Sequence, residues 1–252
     1  MENYFSVVLP VYQGGRTIAR AISSLINQSY PNWELVIIND GSTDNTQEVV
    51  SQAMRHDRRI RMFIMPENAG RLVARNMGNR LARNEWICML DADDEYMTNY
   101  LEVLNDEINR NPNYKIFNFG TLMKQREMVN GFRYEKGWNI LEPFNLKEIG
   151  LGMETFTSGK ITTGGFIFKK ELLGGVSFYP ETKIPYGGED SFPSMLVKKD
   201  PIFKEFCKQD KDGNWLPLGN PWGDEPSLFW WLTRNYKSKC LDVILNIHHI
   251  RP

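Results

Sequence analysis

The sequence predicts an α/β fold in which a mixed, mostly parallel sheet is flanked by helices on both faces. Three observations carry this expectation. Apolar runs of strand length alternate with stretches of helical periodicity up to about residue 95. The runs are apolar nearly throughout, as strands covered on both faces must be. Each run closes in a turn rich in Gly, Asn or Asp.

The elements follow in order. YFSVVLPVY reads as a buried strand, and GGRTIARAISSLINQSY follows it with Ile18, Ile22, Leu25 and Ile26 at helical spacing. NWELVIIND is a second strand, closed by the turn DGSTDN, in which Asp44 can cap the helix NTQEVVSQAMRHD. IRMFIMP is a third strand, and ENAGRLVARNMGNRLAR a helix with Leu72, Met77 and Leu81 on its apolar face. EWICMLDADD is the fourth strand. Four such units in series imply a parallel, doubly wound arrangement. Beyond Asp94 the rhythm changes: MTNYLEVLNDEINRNP is a helix stopped by Pro112, YKIFNFGTLM a strand, and KQREMVNGFRYEKGWNI a hairpin turning at Asn130 and Gly131. GGFIFKK is a further strand, EPSLFWWLTRNYKS a last helix, and CLDVILNIHHI a last strand. The chain is read as one domain over 1–252.

Charge and cysteine content narrow the class. Thirty Lys and Arg against 31 Asp and Glu leave no global basic surface for nucleic acid, so any charge-based function is local. Cys88, Cys207 and Cys240 form no Cys-x-x-Cys pair, which suits buried thiols in a reducing compartment rather than disulfides or a zinc knuckle. The sequence has neither a signal-peptide pattern nor an apolar run long enough to span a bilayer, and a cytoplasmic protein is expected. Trp215, Trp222, Trp230 and Trp231 crowd the last forty residues, either as core or as a sugar-binding or lipid-facing surface.

Ligands of open parallel sheets bind beyond the carboxyl ends of the strands. Those ends read LPVYQGG, IINDGSTD and MLDADD. YQGGRT lacks the Gly-x-Gly-x-x-Gly of dinucleotide binding, and no phosphate loop of the Gly-x-x-x-x-Gly-Lys type occurs. Asp91, Asp93 and Asp94 would repel a diphosphate unless a divalent cation lay between them. Mn2+ or Mg2+ takes oxygen ligands and typically joins one or two carboxylates to substrate phosphates. Asp91 and Asp93, separated by the small Ala92, have the spacing for that task.

Taken together, FSVVLPVYQGGRTIARAISSLINQSYPNWELVIINDGSTDNT, ENAGRLVARNMG and WICMLDADDEY resemble the inverting glycosyltransferases of family 2, with the GT-A fold. The similarity covers about the first 110 residues. It implies a nucleotide-sugar-binding half over 1–110 and an acceptor-binding half over 111–252. It also implies a donor site in which Pro10, Val11 and Tyr12 surround the base, Asp40 accepts from it, and Gly41 and Ser42 lie beside it. Arg71 would contact the diphosphate, as a guanidinium matches phosphate oxygens. Asp91 would bind ribose or metal with Ala92 beside it, and Asp93 would be the direct metal ligand. Asp94 is read as an outer support or a cap for the next helix, and Glu95 as a support of the turn.

An inverting transfer also needs a general base. The resemblance implies a carboxylate from an acidic pair at a helix start, and the sequence offers Glu189 with Asp190 and Asp224 with Glu225. Asp190 is favoured, with Asp224 or Glu225 the competing base. In NIHHIRP neighbouring strand residues point to opposite faces, so at most one of His248 and His249 can face a metal. The resemblance implies a late His as a further ligand, and His249 is the expected one.

The expected activity is transfer of a hexose or N-acetylhexosamine from a nucleotide diphosphate, most simply UDP, to a saccharide or lipid-linked saccharide. Such a reaction belongs to polysaccharide or glycoconjugate synthesis, and peripheral membrane association is compatible with it. Two alternatives remain: a nucleotidyltransferase acting on a sugar phosphate, and a catalytically inactive glycan-binding module.

Overall fold

In the computed structural model the described residues are 1–129, 132–141, 163–174, 207–209, 215–217 and 238–250, with Lys211, Gly213, Leu228, Leu232 and Tyr236. Strands β1 (Phe5–Val11), β2 (Trp33–Asn39), β3 (Ile60–Ile64) and β4 (Trp86–Met89) alternate with helices α1 (Ile18–Ile26), α2 (Thr46–His56) and α3 (Arg71–Leu81). All four strands run parallel, in spatial order β3-β2-β1-β4. Every residue of β1 and β2 is buried, which accounts for their continuous apolar character.

The parity of each strand selects its layer. Phe5, Val7, Leu9 and Val11 of β1 and Leu35 and Ile37 of β2 share one cluster with Ile18, Ile22 and Leu25 of α1 and Val50 of α2. Val36 and Ile38 face the other way, onto Ala74 of α3, with Met77 and Leu81 packed alongside. Helices therefore cover both faces, as expected of a doubly wound sheet. α3 lies close to β1: a Cβ added to Gly78 would come within 2.3 Å of the Val8 Cγ1 atom. Only a glycine permits that approach without displacing the helix.

After β4 come β5 (Glu95–Tyr96), α4 (Tyr100–Arg110), β6 (Ile116–Val129), β7 (Phe132–Leu141) and β8 (Phe166–Lys169). Then follow β9 (Cys207–Gln209), β10 (Trp215–Pro217) and β11 (Ser238–Ile250). α4 ends at Arg110, two residues before Pro112, and buries Leu101, Leu104 and Ile108 on the α1 side. β6 and β7 run antiparallel, with Val129 paired to Phe132, and the expected turn residues Asn130 and Gly131 lie outside the described residues. β6 extends well beyond the segment YKIFNFGTLM.

The continued sheet has the order β3-β2-β1-β4-β8-β6-β11-β5, with β7 on β6, while β9 and β10 form a separate ribbon. β8 lies antiparallel to both β4 and β6, and β11 is parallel to β6 and antiparallel to β5. The parallel character is thus a property of the first four strands, and the remainder is mixed. β11 places Asn246 and Ile247 opposite Tyr96 and Glu95. The end of the chain thereby meets the acidic turn after β4. Among the described residues no helix is long and apolar enough to cross a membrane.

Candidate active site

The carboxyl ends of β1 and β2 are joined through one side chain. Gln13, at φ 53°, donates its backbone N–H to the Ser42 hydroxyl at 3.0 Å, and its Oε1 accepts from the amides of Thr43 and Asp44. A left-handed conformation is uncommon for a residue with a side chain, and these bonds hold it. The N-cap of α2 is Asn45 rather than the expected Asp44, which lies one residue earlier and orders the approach to the helix by accepting from the Thr46 amide and hydroxyl and from the Gly15 amide. The Thr46 hydroxyl bond holds the Asp44 carboxyl below its ordinary range, outweighing the opposing effect of burial. Pro10 and Val11 are buried under this junction, whereas Tyr12 is 52% exposed, leaving its ring available at the mouth.

Asp40 ends β2 almost fully buried, and its two oxygens accept from the amides of Ala69 and Gly70 at 2.7 and 2.9 Å. These are the residues immediately before α3, so Asp40 ties the entry of that helix to the sheet. Gly41, at φ 69°, allows the contact: a Cβ there would lie 2.7 to 2.9 Å from the backbone of Glu67 and Asn68. Arg71, the first residue of α3, is exposed. One turn later Arg75 is 1% exposed, and its Nη2 donates to Asp91 Oδ1 at 2.9 Å.

The acidic turn separates into four roles. Asp91 faces α3 through Arg75. Asp93 offers its backbone carbonyl to Arg20 of α1, and its side chain is partly exposed. Asp94 is buried and accepts from the His249 amide at 3.0 Å, with its other oxygen 2.9 Å from His248 Nδ1. Glu95 lies 2.5 Å from His249 Nε2 and 3.1 Å from Arg20 Nε. Burial pushes the Asp94 carboxyl up to about 6, against the pull of His248. His248 is itself shifted upward: burial opposes its charge, but Asp94, Asp91 and Asp93 together favour it. Asp94 therefore ties β11 to the turn and does not cap α4, whose N-cap is Asn99.

The strand alternation expected of His248 and His249 holds, but the register sends His249 to Glu95 and turns His248 toward the three aspartates. The pairing of Ile247 with Glu95 fixes that parity. For a divalent cation the donor chemistry fits, since Asp91 and Asp93 supply partly exposed carboxylates on one turn. Among the described residues no three His, Cys, Asp or Glu side chains converge as a ready-made metal group. A cation held by Asp91 and Asp93 would thus draw its other ligands from outside these side chains.

Glu189, Asp190, Asp224 and Glu225 lie outside the described residues, as does the last expected helix apart from buried Leu228 and Leu232. Ala92 adjoins the β1 turn, since a Cβ on Gly14 would sit 3.7 Å from its methyl carbon. Three side chains escaped the sequence reading: Gln13, Arg20 and Arg75. A signal existed for the last, because Arg75 is four residues from Arg71 and shares its face of the helix.

The family model described as Glycosyl transferase family 2 matches residues 6–174. Glycosyltransferase GlyG of Streptococcus pneumoniae is 33% identical over 108 residues, 43% of this chain and 36% of that protein. The Escherichia coli UDP-Glc:alpha-D-GlcNAc-diphosphoundecaprenol beta-1,3-glucosyltransferase WfgD is 30% identical over 175 residues, 67% of this chain and 65% of that one. The chain thus spans between about a third and two thirds of the length of these relatives. Crystal structures of Staphylococcus aureus TarS 1-349 in complex with UDP and with UDP-GlcNAc superpose with TM-scores of 0.61 and 0.62. Identities are 19% and 18%, with 99% of this chain and 61% and 59% of those chains covered, a likeness of fold. With the family model spanning two thirds of its length and its GT-A sheet carrying the acidic turn at the strand ends, the chain belongs to glycosyltransferase family 2.

Proposed function

We propose that the protein is an inverting glycosyltransferase that takes a hexose or N-acetylhexosamine from a UDP-sugar and delivers it to a saccharide or lipid-linked saccharide on the cytoplasmic side. The observation that carries this is the Arg75–Asp91 pair at the end of β4, beside a helix entry tied to Asp40. It combines a cation and carboxylates where a nucleotide diphosphate would lie in an open sheet. The UDP donor is supported by the names of the related proteins: WfgD takes UDP-Glc, and TarS is seen with UDP-GlcNAc.

In this reading Tyr12 covers the base, and Asp40 holds the wall against which the base rests. Asp91 and Asp93 hold Mn2+ or Mg2+, with His248 rather than His249 as the nearby imidazole. When bound, such an ion neutralises the diphosphate as it leaves. Arg75 fixes the Asp91 carboxylate, and Arg71 lies at the exposed start of α3, in reach of phosphate oxygens. The acceptor hydroxyl oxygen attacks the anomeric carbon as the bond to the diphosphate oxygen breaks, and its proton passes to Asp190, or to Asp224 or Glu225.

A panel of UDP-, GDP- and dTDP-sugars, each with Mn2+, Mg2+ or chelator, tests this reading by thermal stabilisation and by release of the nucleoside diphosphate. A UDP-sugar should raise the melting temperature and be turned over only with the cation. Stabilisation by a nucleoside triphosphate together with release of pyrophosphate would replace it with nucleotidyl transfer. Full turnover in chelator would remove the metal from it.

A further inference from the structure

A second concave site lies at the opposite edge of the sheet, where β1 and β2 begin. It is a cavity of about 330 Å³ lined by, among others, Tyr4, Trp33, Arg58, Arg59, Arg61 and Arg83. Four guanidinium groups in one small cavity are notable on a chain whose net charge is −1.

Two of the four are neutralised. Arg59 is held on Asp57 and stacks over the Trp33 ring, its Cζ 3.6 Å from the centroid. Arg61 binds Glu34 Oε2 at 2.7 Å and the Leu81 carbonyl at 2.9 Å through Nη2, leaving Nη1 without a hydrogen bond among the described residues. Glu34 is fully committed, since its other oxygen accepts from Ser6 and from the Arg83 amide. Burial opposes its charge, but those bonds together hold the carboxyl below its ordinary range. No carboxylate is therefore spare at the cavity floor. The side chains of Arg58 and Arg83 are exposed and have no ion-pair or hydrogen-bond partner among the described residues. Among the lining side chains this leaves an excess of two positive charges, with the exposed Glu2 carboxylate held at the rim by Asn32 at 3.1 Å. Trp33, 4% exposed, also has a buried Nε1–H without an acceptor among the described residues.

We infer that this cavity is a binding site for a phosphate group, separate from the site at the strand carboxyl ends. Arg58 and Arg83 supply the charge, Arg61 Nη1 adds a fixed donor, and Tyr4, half exposed, forms an aromatic rim. Guanidinium groups match phosphate oxygens in forked geometry, and a site braced by Asp57 and Glu34 is ordered before the anion arrives. The phosphate belongs either to a lipid headgroup or to a small soluble molecule, and both present the same oxygens.

The test compares the full chain with the R58Q/R83Q variant, using inorganic phosphate in calorimetry and vesicles of phosphatidylglycerol with phosphatidylcholine in flotation. In the proposed function the strand-end site also takes phosphate groups, so only binding that the variant removes counts. Phosphate affinity should fall about tenfold or more, as loss of two charge-assisted partners implies. Wild-type binding should also weaken with salt. Flotation of the wild type with anionic vesicles, lost in the variant, identifies the lipid source. Phosphate binding lost in the variant, without flotation of the wild type, identifies a soluble source. Equal binding by both proteins, or none by the wild type to either probe, overturns the inference. An unchanged melting temperature of the variant shows that the fold is intact.

Discussion

Arg75 Nη2 lies 2.9 Å from Asp91 Oδ1, and this contact crosses from a helix on one face of the sheet to the turn that ends β4. The guanidinium is 2% exposed and the carboxylate 26%, so the cation is the member that depends on the pair. Removing it empties a buried volume and takes one donor from the Asp91 carboxylate. Arg75→Ala should cost about 2–3 kcal/mol of stability, chiefly for the buried volume it empties, since the Asp91 left behind is partly exposed. Donor KM should rise as well, because the Asp91 carboxylate loses the Arg75 fork that orients it. Arg75→Lys should restore part of the stability and little of the KM, since an ammonium lacks the fork. Unfolding curves and donor kinetics matching the wild type for Arg75→Ala would remove the pair from both roles.

Asp40→Ala deletes two bonds to backbone amides at the entry of α3. Ala69 and Gly70 are only partly buried, so water can replace the lost acceptor. The expected cost is about 1–3 kcal/mol, below the sum for two fully buried charged bonds. Urea denaturation measures it. Amide exchange at Ala69 and Gly70 should accelerate in the same variant, and unchanged protection there would show that the helix entry is held otherwise.

Asp93→Ala should abolish transfer and leave the melting temperature close to that of the wild type. The bond from Arg20 to the backbone carbonyl is one that the substitution keeps. Wild-type turnover by this variant would contradict a metal-binding role for the carboxylate.

The two histidines should respond differently. His249 is 4% exposed and bonded to Glu95, so His249→Ala should lower stability by about 1–3 kcal/mol through the lost partner and the cavity. His248, which faces the aspartates, should on replacement by Ala raise the Mn2+ concentration needed for half-maximal activity. Equal metal dependence of wild type and His248→Ala, beside an altered one in His249→Ala, would reverse the assignment.

Glu34 gives a pH dependence with a definite sign. Its carboxyl is held below the ordinary value of 4.5 in the folded protein by Ser6, the Arg83 amide and Arg61, against burial. The stability it contributes is therefore complete above 4.5 and lost as pH falls through the lowered folded value. Denaturation of wild type and Glu34→Gln from pH 7 to pH 3 should give curves that differ most at neutral pH and converge in acid. A constant difference across that range would show that the charge of Glu34 is not what matters.

Much of the N-terminal half was legible in the sequence. Continuous apolar runs such as FSVVLPV have one stable use, a strand covered on both faces, and Leu72, Met77 and Leu81 marked the helix that covers one of them. Asp44 marked the helix start to within one residue, because helix-start signals are local, but the N-cap itself is Asn45. Asp40 was singled out as a site residue, but its bonds to Ala69 and Gly70 join residues 29 and 30 positions away, and no local pattern carries that information. Arg71 drew attention over Arg75 for a similar reason: a helix face can be read from spacing, but which turn of it sinks to the sheet depends on the packing of Gly78 on Val8.

The sequence by itself determined the class of fold, the position of the acidic turn at a strand end, and the rule that two adjacent histidines on a strand point to opposite faces. These follow from periodicities that the backbone imposes within a few residues. Tertiary structure alone decided that β8 inserts between β4 and β6, and that β11 returns beside β5 with Ile247 opposite Glu95. It also decided that His248 rather than His249 turns toward Asp94, since a shift of one residue in that pairing would exchange them. Register between strands some 150 residues apart is fixed by the packing of the whole sheet, which no local stretch of the chain encodes.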